Sequence, residues 1–468
     1  MVKKYLMRSG IAPTDVKTAE DMVINTRIGG NVGNLIYAFS VYRNLTTDDV
    51  EITPDNYRIN ENDAEKINKT YDAYIIPLAD AFREPFVKEL KGYTKLFKKL
   101  KIPIIVIGVG LKAPFEPNLK EGFPFDKEVK EFVKAVLEHS TTIGVRGQIT
   151  ADYLTSLGFK EGKDHIVIGC PSMYSFGPDL NIRDTTITKD SLIALNGSKL
   201  SPDNVLKFME RSSVEYPNYY FIPQWQKELK ITYLGNEKLK KDTEHYPVNI
   251  THKFYKEDRV RFPINAKSWI DFLKKPDLAV GSRLHGNITA TIAGTPSLLI
   301  PKDARMRELT DYHNLTHVWA NKITDDTTLS SLIEKVDFHA PEKVQKENFE
   351  RFLQFLELNE LDHIYRYDKP APLDTVLEEM KLPELIRPIN RLEINELADR
   401  LQGYEKRRAD GLKRVKDKNK QYETNERKDK KKIKDLEKQN EDLKNALNKE
   451  ESSFMHKVGN VFRKIDIK

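Results

Sequence analysis

Cysteine is almost absent from this chain, which has a single one, Cys170, in 468 residues. One cysteine cannot form an intramolecular disulfide, and it cannot build a metal site that needs several cysteine ligands. Because disulfides are rare in reducing compartments, this composition favours a protein of the cytoplasm.

Long hydrophobic runs are also missing. No stretch approaches the roughly 20 apolar residues of a membrane span, and the N-terminal sequence MVKKYLMRSGIAPTD lacks the apolar core of a signal peptide. Basic residues interleaved with aromatic ones are absent outside the C-terminal tail, so the net charge of +6 does not predict nucleic-acid binding. Without an H-x-E pair or a G-x-S-x-G elbow, we expect no metal, no cofactor and no Ser-His-Asp hydrolase.

Short apolar runs alternate with amphipathic stretches through most of the chain, which indicates an α/β fold with a mainly parallel sheet. Several of the runs are apolar throughout, as strands covered by helices on both faces are. The predicted strands are DMVIN, AYIIPL, IPIIVIGVG, TTIGVR and HIVIG, starting at Asp21, Ala73, Ile102, Thr141 and His165, and then SLIALNGS, YYFIPQ, DLAVGS and PSLLIP, starting at Ser191, Tyr219, Asp277 and Pro296.

The length calls for two cores, since one core rarely grows beyond roughly 250–300 residues. Turn-forming residues fill the stretch 176–190, where we place the boundary between them. The predicted parts are an N-terminal Rossmann-like domain (1–180), a C-terminal Rossmann-like domain with a closing helix (181–365), a Pro-rich linker (366–390), a charged coiled-coil helix (391–450) and an amphipathic basic tail (451–468).

Apolar residues recur at heptad spacing in the charged helix. The residues in frame are Leu412, Val415, Asn419 and Tyr422, followed by Ile433, Leu436, Asn440, Leu443 and Leu447. This pattern predicts a parallel homodimeric coiled coil, and a solvated single helix is the alternative. Beyond it, Phe454, Val458, Val461, Phe462 and Ile465 share one helical face that could lie on an anionic membrane surface; a frayed helix end is the alternative.

Two glycine-rich loops follow predicted strands. Gly29, Gly30 and Gly33 precede a helix that begins near Asn34, and Gly108 and Gly110 end the strand from Ile102. Glycines let backbone amides approach a ligand, and the N-terminus of a helix favours an anion. The first loop has neither a dinucleotide fingerprint nor a P-loop lysine. For both loops, glycines that only make tight turns remain the alternative.

Two arginines stand where a strand passes into a helix. Arg146 precedes a helix predicted from Gln148 to a C-terminal glycine, Gly158, and Arg283 precedes a small-residue helix. An arginine is unfavourably placed at the positive end of a helix, which indicates either an anion ligand or a structural salt bridge.

Between the two guanidinium groups a small polyanion would find two planar sets of donors. His285 lies two residues after Arg283, and Ser282 precedes that arginine. A bound anion would stabilise the protonated histidine and keep it an acid near neutral pH. A purely structural histidine is the alternative.

The segment VGSRLHGNITATIAGTPSLLI closely resembles the signature of the polysaccharide pyruvyl transferases, in which Arg-x-His-Gly is followed by Ala and Gly-x-Pro. The segments IGVRGQITADYLTSLG, GGNVGN, FIPQWQKE and VIGCPSMY are similar to further parts of that family. The resemblance covers about residues 20–330. It implies two Rossmann-like domains in a GT-B-like arrangement and transfer of pyruvate from phosphoenolpyruvate to a sugar diol, which forms a cyclic ketal and releases phosphate.

The resemblance also implies roles for residues. Arg146, Arg283 and Leu284 would contact phosphoenolpyruvate, His285 would be the acid, and Asn34 stands where many members have Asp, which puts an acceptor contact there in doubt. Arg283 is counted with His285 as catalytic. The further substrate-binding predictions are Ser282, Gly286, Gly29, Gly30, Asn31, Gly33, Asn34, Gly108, Gly110 and Gln224.

Three functions remain open on the sequence. The first is the pyruvyl transferase, with phosphoenolpyruvate as co-substrate, a free or lipid-linked saccharide as acceptor, and a place in the cytoplasm or at the inner membrane face. The second is a GT-B glycosyltransferase that uses a nucleotide sugar. The third is a non-catalytic interaction protein whose tail is the functional part.

Overall fold

The protein is described from a computed structural model, which covers residues 2–241, 243–367 and 369–465, with residues 453–465 described by their backbone alone. Two compact units, Met1–Ala398 and Asp399–Lys468, make up the chain. Within the first unit we call residues 2–180 the N-terminal half and residues 181–340 the C-terminal half.

The N-terminal half contains a four-stranded parallel sheet of order β2-β1-β3-β4 and a two-stranded parallel sheet, β5-β6, which a bridge from Val109 to Val145 joins to the first. Its elements are β1 Lys3–Met7, α1 Ala19–Ile24, α2 Gly33–Leu45, β2 Val50–Pro54, α3 Ala64–Thr70, β3 Ala73–Pro77, α4 Val87–Phe97, β4 Ile104–Ile107, α5 Asp126–Leu137, β5 Ile143–Val145, α6 Gln148–Ser156 and β6 His165–Val167.

The C-terminal half contains a second parallel sheet, of order β10-β9-β7-β8. Its elements are β7 Ile193–Asn196, α7 Asp203–Glu215, β8 Tyr219–Phe221, α8 Gln226–Leu234, α9 Lys253–Lys256, α10 Ala266–Leu273, β9 Leu278–Gly281, α11 Leu284–Ile292, β10 Ser297–Leu299, α12 Ala304–His313 and α13 Leu329–Ile333. The α/β class with parallel sheets is therefore confirmed.

The burial of each strand explains whether the sequence pattern predicted it. Every residue of β3, β4, β7 and β9 is buried, as expected for strands with helices on both faces. The two strands that the prediction missed are less apolar: β1 exposes its two lysines, and β2 alternates buried and exposed positions at the sheet edge.

The predicted strand DMVIN is wrong, because this segment belongs to helix α1. Thr18 caps the helix by accepting a hydrogen bond from the amide of Asp21 at 3.3 Å, and two acidic residues, Glu20 and Asp21, stand in the first turn. A Ser or Thr cap followed by acidic residues favours a helix start, and this local signal prevails over the short apolar run.

Helix α14, Glu342–Leu358, forms where the amphipathic pattern predicted a closing helix, but it packs against the N-terminal half. The Gln345 side chain donates to the carbonyls of Met173 and Gly177, and Asn359 Oδ1 accepts from the amide of Thr141 at 3.1 Å. The Pro-rich segment that follows contains α15, Pro372–Glu379, which is tied to α2 by the ion pair between Arg43 and Asp374 at 2.7 Å.

A single helix, α16 Ile394–Ile465, takes up the predicted coiled-coil segment and continues through the predicted tail boundary at 451. The apolar heptad residues lie exposed along it, and a coiled-coil partner remains a prediction. The face formed by Phe454, Val458, Val461, Phe462 and Ile465 lies outside the described side chains.

Candidate active site

A cavity of about 600 Å³ lies between the two halves of the first unit. Its wall is built from segments that directly follow β3, β7, β8, β9 and β10, together with the glycine loop between α1 and α2. The carboxyl ends of parallel strands are the usual place for ligands in open α/β sheets.

Nine of the fourteen predicted site residues line this cavity: Gly29, Gly30, Asn31, Asn34, Gln224, Ser282, Arg283, Leu284 and His285. The other five, Arg146, Gly33, Gly108, Gly110 and Gly286, are absent from its wall. Four of these five residues are glycines, and side chains inside the protein pack closely against each of them. The fifth is Arg146.

His285 stands in the first turn of α11 and lies against the start of α2. A Cβ added to Gly33 would come within 2.6 Å of Nδ1 of His285, so only glycine leaves room for the imidazole here. The other ring nitrogen, Nε2, is 3.9 Å from Sγ of Cys170, and the Tyr37 ring meets the imidazole edge to face at 6.2 Å.

The pKa of His285 is lowered to about 3. Burial contributes most, the cations Arg146 and Arg305 lower the pKa further, and Asp80 opposes them. The imidazole is therefore neutral at pH 7 in this structure. The expectation that a bound anion would keep His285 an acid near neutral pH stays a prediction.

Arg283 lines the cavity, but much of its guanidinium group is engaged by the protein. Its Nε donates to the carbonyl of Gly197 at 2.7 Å, and Nη2 pairs with the buried Glu228 at 3.3 Å. The group also lies 4.3 Å from the centroid of Trp225. Arg283 is thus a rigid part of the wall, and not the free pair of donors that the sequence suggested.

Arg146 is completely buried, and its Nε donates to the carbonyl of Gly108 at 2.8 Å. Its Nη1 and Nη2 have no hydrogen-bond partner in the part of the chain that the structure describes, and no described carboxylate pairs with it. The structural salt bridge considered as an alternative is thus not found among these residues. An unpaired buried cation is costly, and its field acts on the neighbouring groups.

The sequence analysis predicted only Arg283 among the basic side chains of the wall, and Lys302 and Arg305 are among those that it missed. Lys302 donates to Oγ of Ser201 at 2.9 Å, and Arg305 reaches Oδ2 of Asp80 at 3.2 Å. Burial, followed by the charge of Arg283, lowers the pKa of Lys302 to about 7. The sequence contains a signal for these two residues. The segment KDAR directly follows the predicted strand PSLLIP and so stands at the same sheet edge as Arg283.

Positive charge dominates the wall. Its six basic side chains are Arg8, Arg83, Lys112, Arg283, Lys302 and Arg305, against the two carboxylates of Asp80 and Asp303. The N-termini of α11 and α12 open at the same place, and each adds partial positive charge. The cavity is therefore suited to a small molecule with several negative charges.

Most amides of the glycine loop are already bonded within the protein. The amides of Gly29, Asn31, Gly33 and Asn34 are bonded within the loop, and that of Val32 donates to the Gln224 carbonyl at 2.8 Å. In return, the amide of Gln226 donates to the carbonyl of Gly30 at 3.0 Å. The loop thus joins the two halves, which favours the structural interpretation of these glycines.

Side chains of the wall complete this junction. Nδ2 of Asn34 donates to the carbonyl of Ile28 at 2.9 Å, so this side chain is held by the loop itself. Nε2 of Gln224 is buried without a partner among the described residues, and so keeps a free donor beside the cavity.

The glycines of the second loop and of α11 make close contacts inside the protein. A Cβ on Gly108 would meet Oη of Tyr37 at 2.3 Å, and one on Gly110 would meet Cδ of Arg146 at 3.0 Å. A Cβ on Gly286 would meet Nε2 of Gln224 at 2.6 Å. These glycines do not line the cavity, and their close contacts are with side chains inside the protein.

Over the residues that the structure describes, no group of three or more His, Cys, Asp or Glu side chains is arranged to bind a metal ion. None of the helices within those residues is long and apolar enough to cross a membrane.

A parallel α/β fold with a cationic cavity at the carboxyl ends of its strands is typical of enzymes that bind small anionic substrates. The sequence profile of the polysaccharide pyruvyl transferases matches residues 31–303, more than half of the chain, and the protein belongs to that family. It is accordingly a transferase of polysaccharide biosynthesis. No protein of curated function matches the chain.

Solved structures resemble the chain only distantly. An uncharacterised protein from Klebsiella pneumoniae is 14% identical, with a TM-score of 0.36 over 68% of this chain and 92% of that one. The UDP-GlcNAc 2-epimerase from Neisseria meningitidis is 12% identical, with a TM-score of 0.41 over 76% and 100%. HepE from Anabaena is 13% identical, with a TM-score of 0.36 over 81% and 100%. At these scores the likenesses have no bearing on function.

Proposed function

We propose that the protein transfers the pyruvate unit of phosphoenolpyruvate to two hydroxyl groups of a saccharide. The two C–O bonds of a cyclic ketal form, the bond from carbon to the phosphate oxygen breaks, and the two hydroxyl protons end on the new methyl group and on the released phosphate. The observation that carries this proposal is the cavity that places His285 among six basic side chains, in a chain of the polysaccharide pyruvyl transferase family.

Phosphoenolpyruvate has a carboxylate and a phosphate, and the wall offers donors for both. Lys302, Arg305 and the cavity-facing edge of Arg283 supply charge, and the first-turn amides of α11 supply a helix N-terminus for an oxyanion. Arg146 would act from behind the wall through its charge, because its Nη1 and Nη2 have no hydrogen-bond partner among the described residues. These fixed groups would hold the substrate and neutralise it without rearrangement.

His285 would deliver the proton to the methylene carbon. The bound dianion or trianion would offset the fields of Arg146 and Arg305, which lower the pKa of His285 in the empty cavity, and so raise that pKa towards neutrality. Protonation of the carbon generates an oxocarbenium-like centre that a sugar hydroxyl attacks. The histidine would thus become an acid only when its substrate is present.

The setting of the reaction belongs to the same proposal. The two halves would form a GT-B-like pair of Rossmann-like domains, and phosphoenolpyruvate would be a co-substrate with no further cofactor. The acceptor would be a cell-surface polysaccharide or its lipid-linked precursor, modified on the cytoplasmic side.

The test is a panel of saccharide acceptors with labelled phosphoenolpyruvate, in which mass spectrometry looks for the pyruvate ketal and phosphate release is followed in parallel. We expect one acceptor to gain the ketal mass. Release of uridine diphosphate from a nucleotide sugar, without phosphate release from phosphoenolpyruvate, would instead establish the glycosyltransferase. If the folded parent protein shows neither activity, the result would favour a non-catalytic interaction protein.

Replacement of His285 separates chemistry from binding. We expect His285→Ala to lower turnover by about 10²–10⁴-fold, the usual contribution of a general acid, with phosphoenolpyruvate affinity nearly unchanged. Arg283→Ala should weaken binding itself. Lys207→Met, on the exposed side of α7, is the control. Equal activity of His285→Ala, Arg283→Ala and the parent protein would refute the assignment.

A further inference from the structure

A second cavity, of about 590 Å³, opens beside the first in the N-terminal half. Four residues line both cavities: Arg8, Gly29, Arg83 and Phe86. The two cavities therefore share part of their walls.

Three aromatic residues, Tyr57, Phe86 and Tyr93, line this second cavity, and Tyr57 is held by a strained backbone. Tyr57 has a φ of 57°, and the preceding Asn56 has the same value, in the left-handed region that residues other than glycine rarely adopt. The amide of Tyr57 donates to Oδ1 of Asp55 at 2.8 Å, and the amide of Arg58 closes the turn on the Asp55 carbonyl at 3.2 Å. Such strain persists where the surroundings fix it, and it is often found at functional sites.

The strained turn places the Tyr57 ring directly on two glycines. A Cβ on Gly10 or Gly29 would approach ring atoms to 2.7 and 2.9 Å. The guanidinium carbon of Arg8 lies 4.9 Å from the Tyr57 centroid and 5.9 Å from the Phe86 centroid. The rings are thus fixed before any ligand arrives, and an aromatic surface of this kind suits the apolar face of a pyranose.

Polar atoms around the rings lack partners. Oε2 of Glu89, Oη of Tyr93 and the Nε atoms of Arg8 and Arg83 are buried and have no hydrogen-bond partner within the described part of the chain. Buried polar groups are normally satisfied, so these four predict a ligand that both donates and accepts hydrogen bonds. Hydroxyl groups do both.

We propose that the second cavity binds the sugar ring of the acceptor saccharide, with its hydroxyls facing the anion cavity across Arg8 and Phe86. This inference rests on the proposed pyruvyl transfer and adds where the acceptor is held. A pyranose stacks on Tyr57 or Phe86, and its hydroxyls donate to Glu89 and accept from the free Nε atoms of Arg8 and Arg83.

Two variants test the subsite with little risk to the fold. Tyr57→Gly removes the ring and tolerates the positive φ, and Glu89→Gln keeps the shape of the side chain but removes its charge. Glu84→Gln is the matched control, because Glu84 is an exposed carboxylate near the cavity that lines neither space. Each test variant should raise the KM for the acceptor about tenfold, the effect of roughly 1.4 kcal/mol. Phosphoenolpyruvate binding, measured by calorimetry without acceptor, should stay the same.

Direct binding gives a second measurement that does not require turnover. Saturation-transfer NMR with methyl β-galactopyranoside and methyl β-N-acetylmannosaminide should give sugar signals with the parent protein and Glu84→Gln, and weaker ones with Tyr57→Gly. Absence of signals from both glycosides, or equal signals from all proteins, would overturn the subsite. Failure of phosphoenolpyruvate binding would instead overturn the proposed function, so the two results can be told apart.

Discussion

His285 is neutral in the empty cavity, and its proposed role requires it to gain a proton when the substrate binds. We expect phosphoenolpyruvate binding to take up protons at about pH 7.5, above the second phosphate pKa of about 6. Calorimetry in buffers of different ionisation enthalpy measures this uptake. His285→Asn should reduce it.

Lys302 contributes to the same measurement and must be separated from it. Its pKa of about 7 means that a bound anion should also raise its protonation. Lys302→Met should therefore remove part of the uptake and leave the part due to His285. Uptake that is unchanged in His285→Asn would show that the histidine stays neutral, and another group would then have to supply the proton.

Glu308 makes stability depend on pH. Burial raises its pKa to about 7, against the hydrogen bonds from Thr150 and the charges of Arg146 and Arg305, which lower it. Between about pH 4 and 7 the folded protein keeps a proton that the unfolded chain has released, so stability falls as pH rises through this interval. At roughly 1.4 kcal/mol per pKa unit, the loss is on the order of 3 kcal/mol.

Glu308→Gln should remove this loss. Between pH 5 and pH 8 the free energy of unfolding should fall less in the variant than in the parent protein. Urea unfolding at both pH values measures this difference. Glu131→Gln, an exposed change on α5, should leave the pH dependence as it is. The same slope in the parent protein and Glu308→Gln would show that this carboxyl is not the cause.

Among the elements, α2 and α11 meet at Gly33 and His285, and this contact predicts a catalytic effect of a single methyl group. In Gly33→Ala the added Cβ, at 2.6 Å from Nδ1, must displace the imidazole. We expect turnover to fall by about 100-fold, as for a misplaced catalytic group, while phosphoenolpyruvate binding persists.

Gly158→Ala is the matched control for this change. Gly158 has a φ of 97° after α6, and a Cβ there meets nothing within 4 Å. It should cost about 1 kcal/mol of stability through backbone strain and leave turnover unchanged. Equal turnover in both glycine variants would contradict the positioning of His285 by α2.

The elements that carry the site were predictable where burial and sequence pattern agree. The fully buried strands β3, β4, β7 and β9 and the Arg-Leu-His-Gly junction lie where the sequence predicted. The segment from Asp21 was misread because a short apolar run cannot distinguish a strand from a buried helix. The neutral His285 depends first on its burial and then on Arg146 and Arg305, and the engaged Arg283 depends on Glu228. These features come from residues distant in sequence, so no local pattern could reveal them.

At the scale of the whole molecule, the order of the parts was predictable, but their packing was not. Helix α14 follows the second sheet in sequence and yet packs on the N-terminal half through Gln345 and Asn359. The spacing of apolar residues in α14 shows that one face of the helix is buried. This spacing does not show which part of the protein covers that face. The same holds for Ala304 of α12, which joins the core of the N-terminal half.

Helix α16 keeps its apolar stripe exposed in the single chain, and we expect it to pair with a second copy. Leu436 and Leu443 expose 54% and 69% of their surface. In a parallel pair, the g and e positions would place Lys418 near Glu423 and Lys432 near Glu437 of the other chain, and both contacts are attractive.

Sedimentation of the full chain checks this expectation. The parent protein should sediment as a dimer, and the double variant Leu436→Glu, Leu443→Glu as a monomer. Lys438→Glu with Asn445→Glu adds the same residues on the opposite side of the helix and should remain dimeric. A parent protein that is monomeric at all concentrations would leave α16 a solvated single helix.

The backbone hydrogen bonds that join the glycine loop to the start of α8 also affect how fast substrates arrive. They tie the halves together at Val32 and Gln226, so the cavity cannot open at this edge without breaking main-chain bonds. Substrate association with such a preformed site requires no closing motion. Its rate is therefore set by diffusion of the substrate in the electrostatic field of the six basic side chains. Association of phosphoenolpyruvate should therefore slow as ionic strength rises, while the geometry that receives it stays the same.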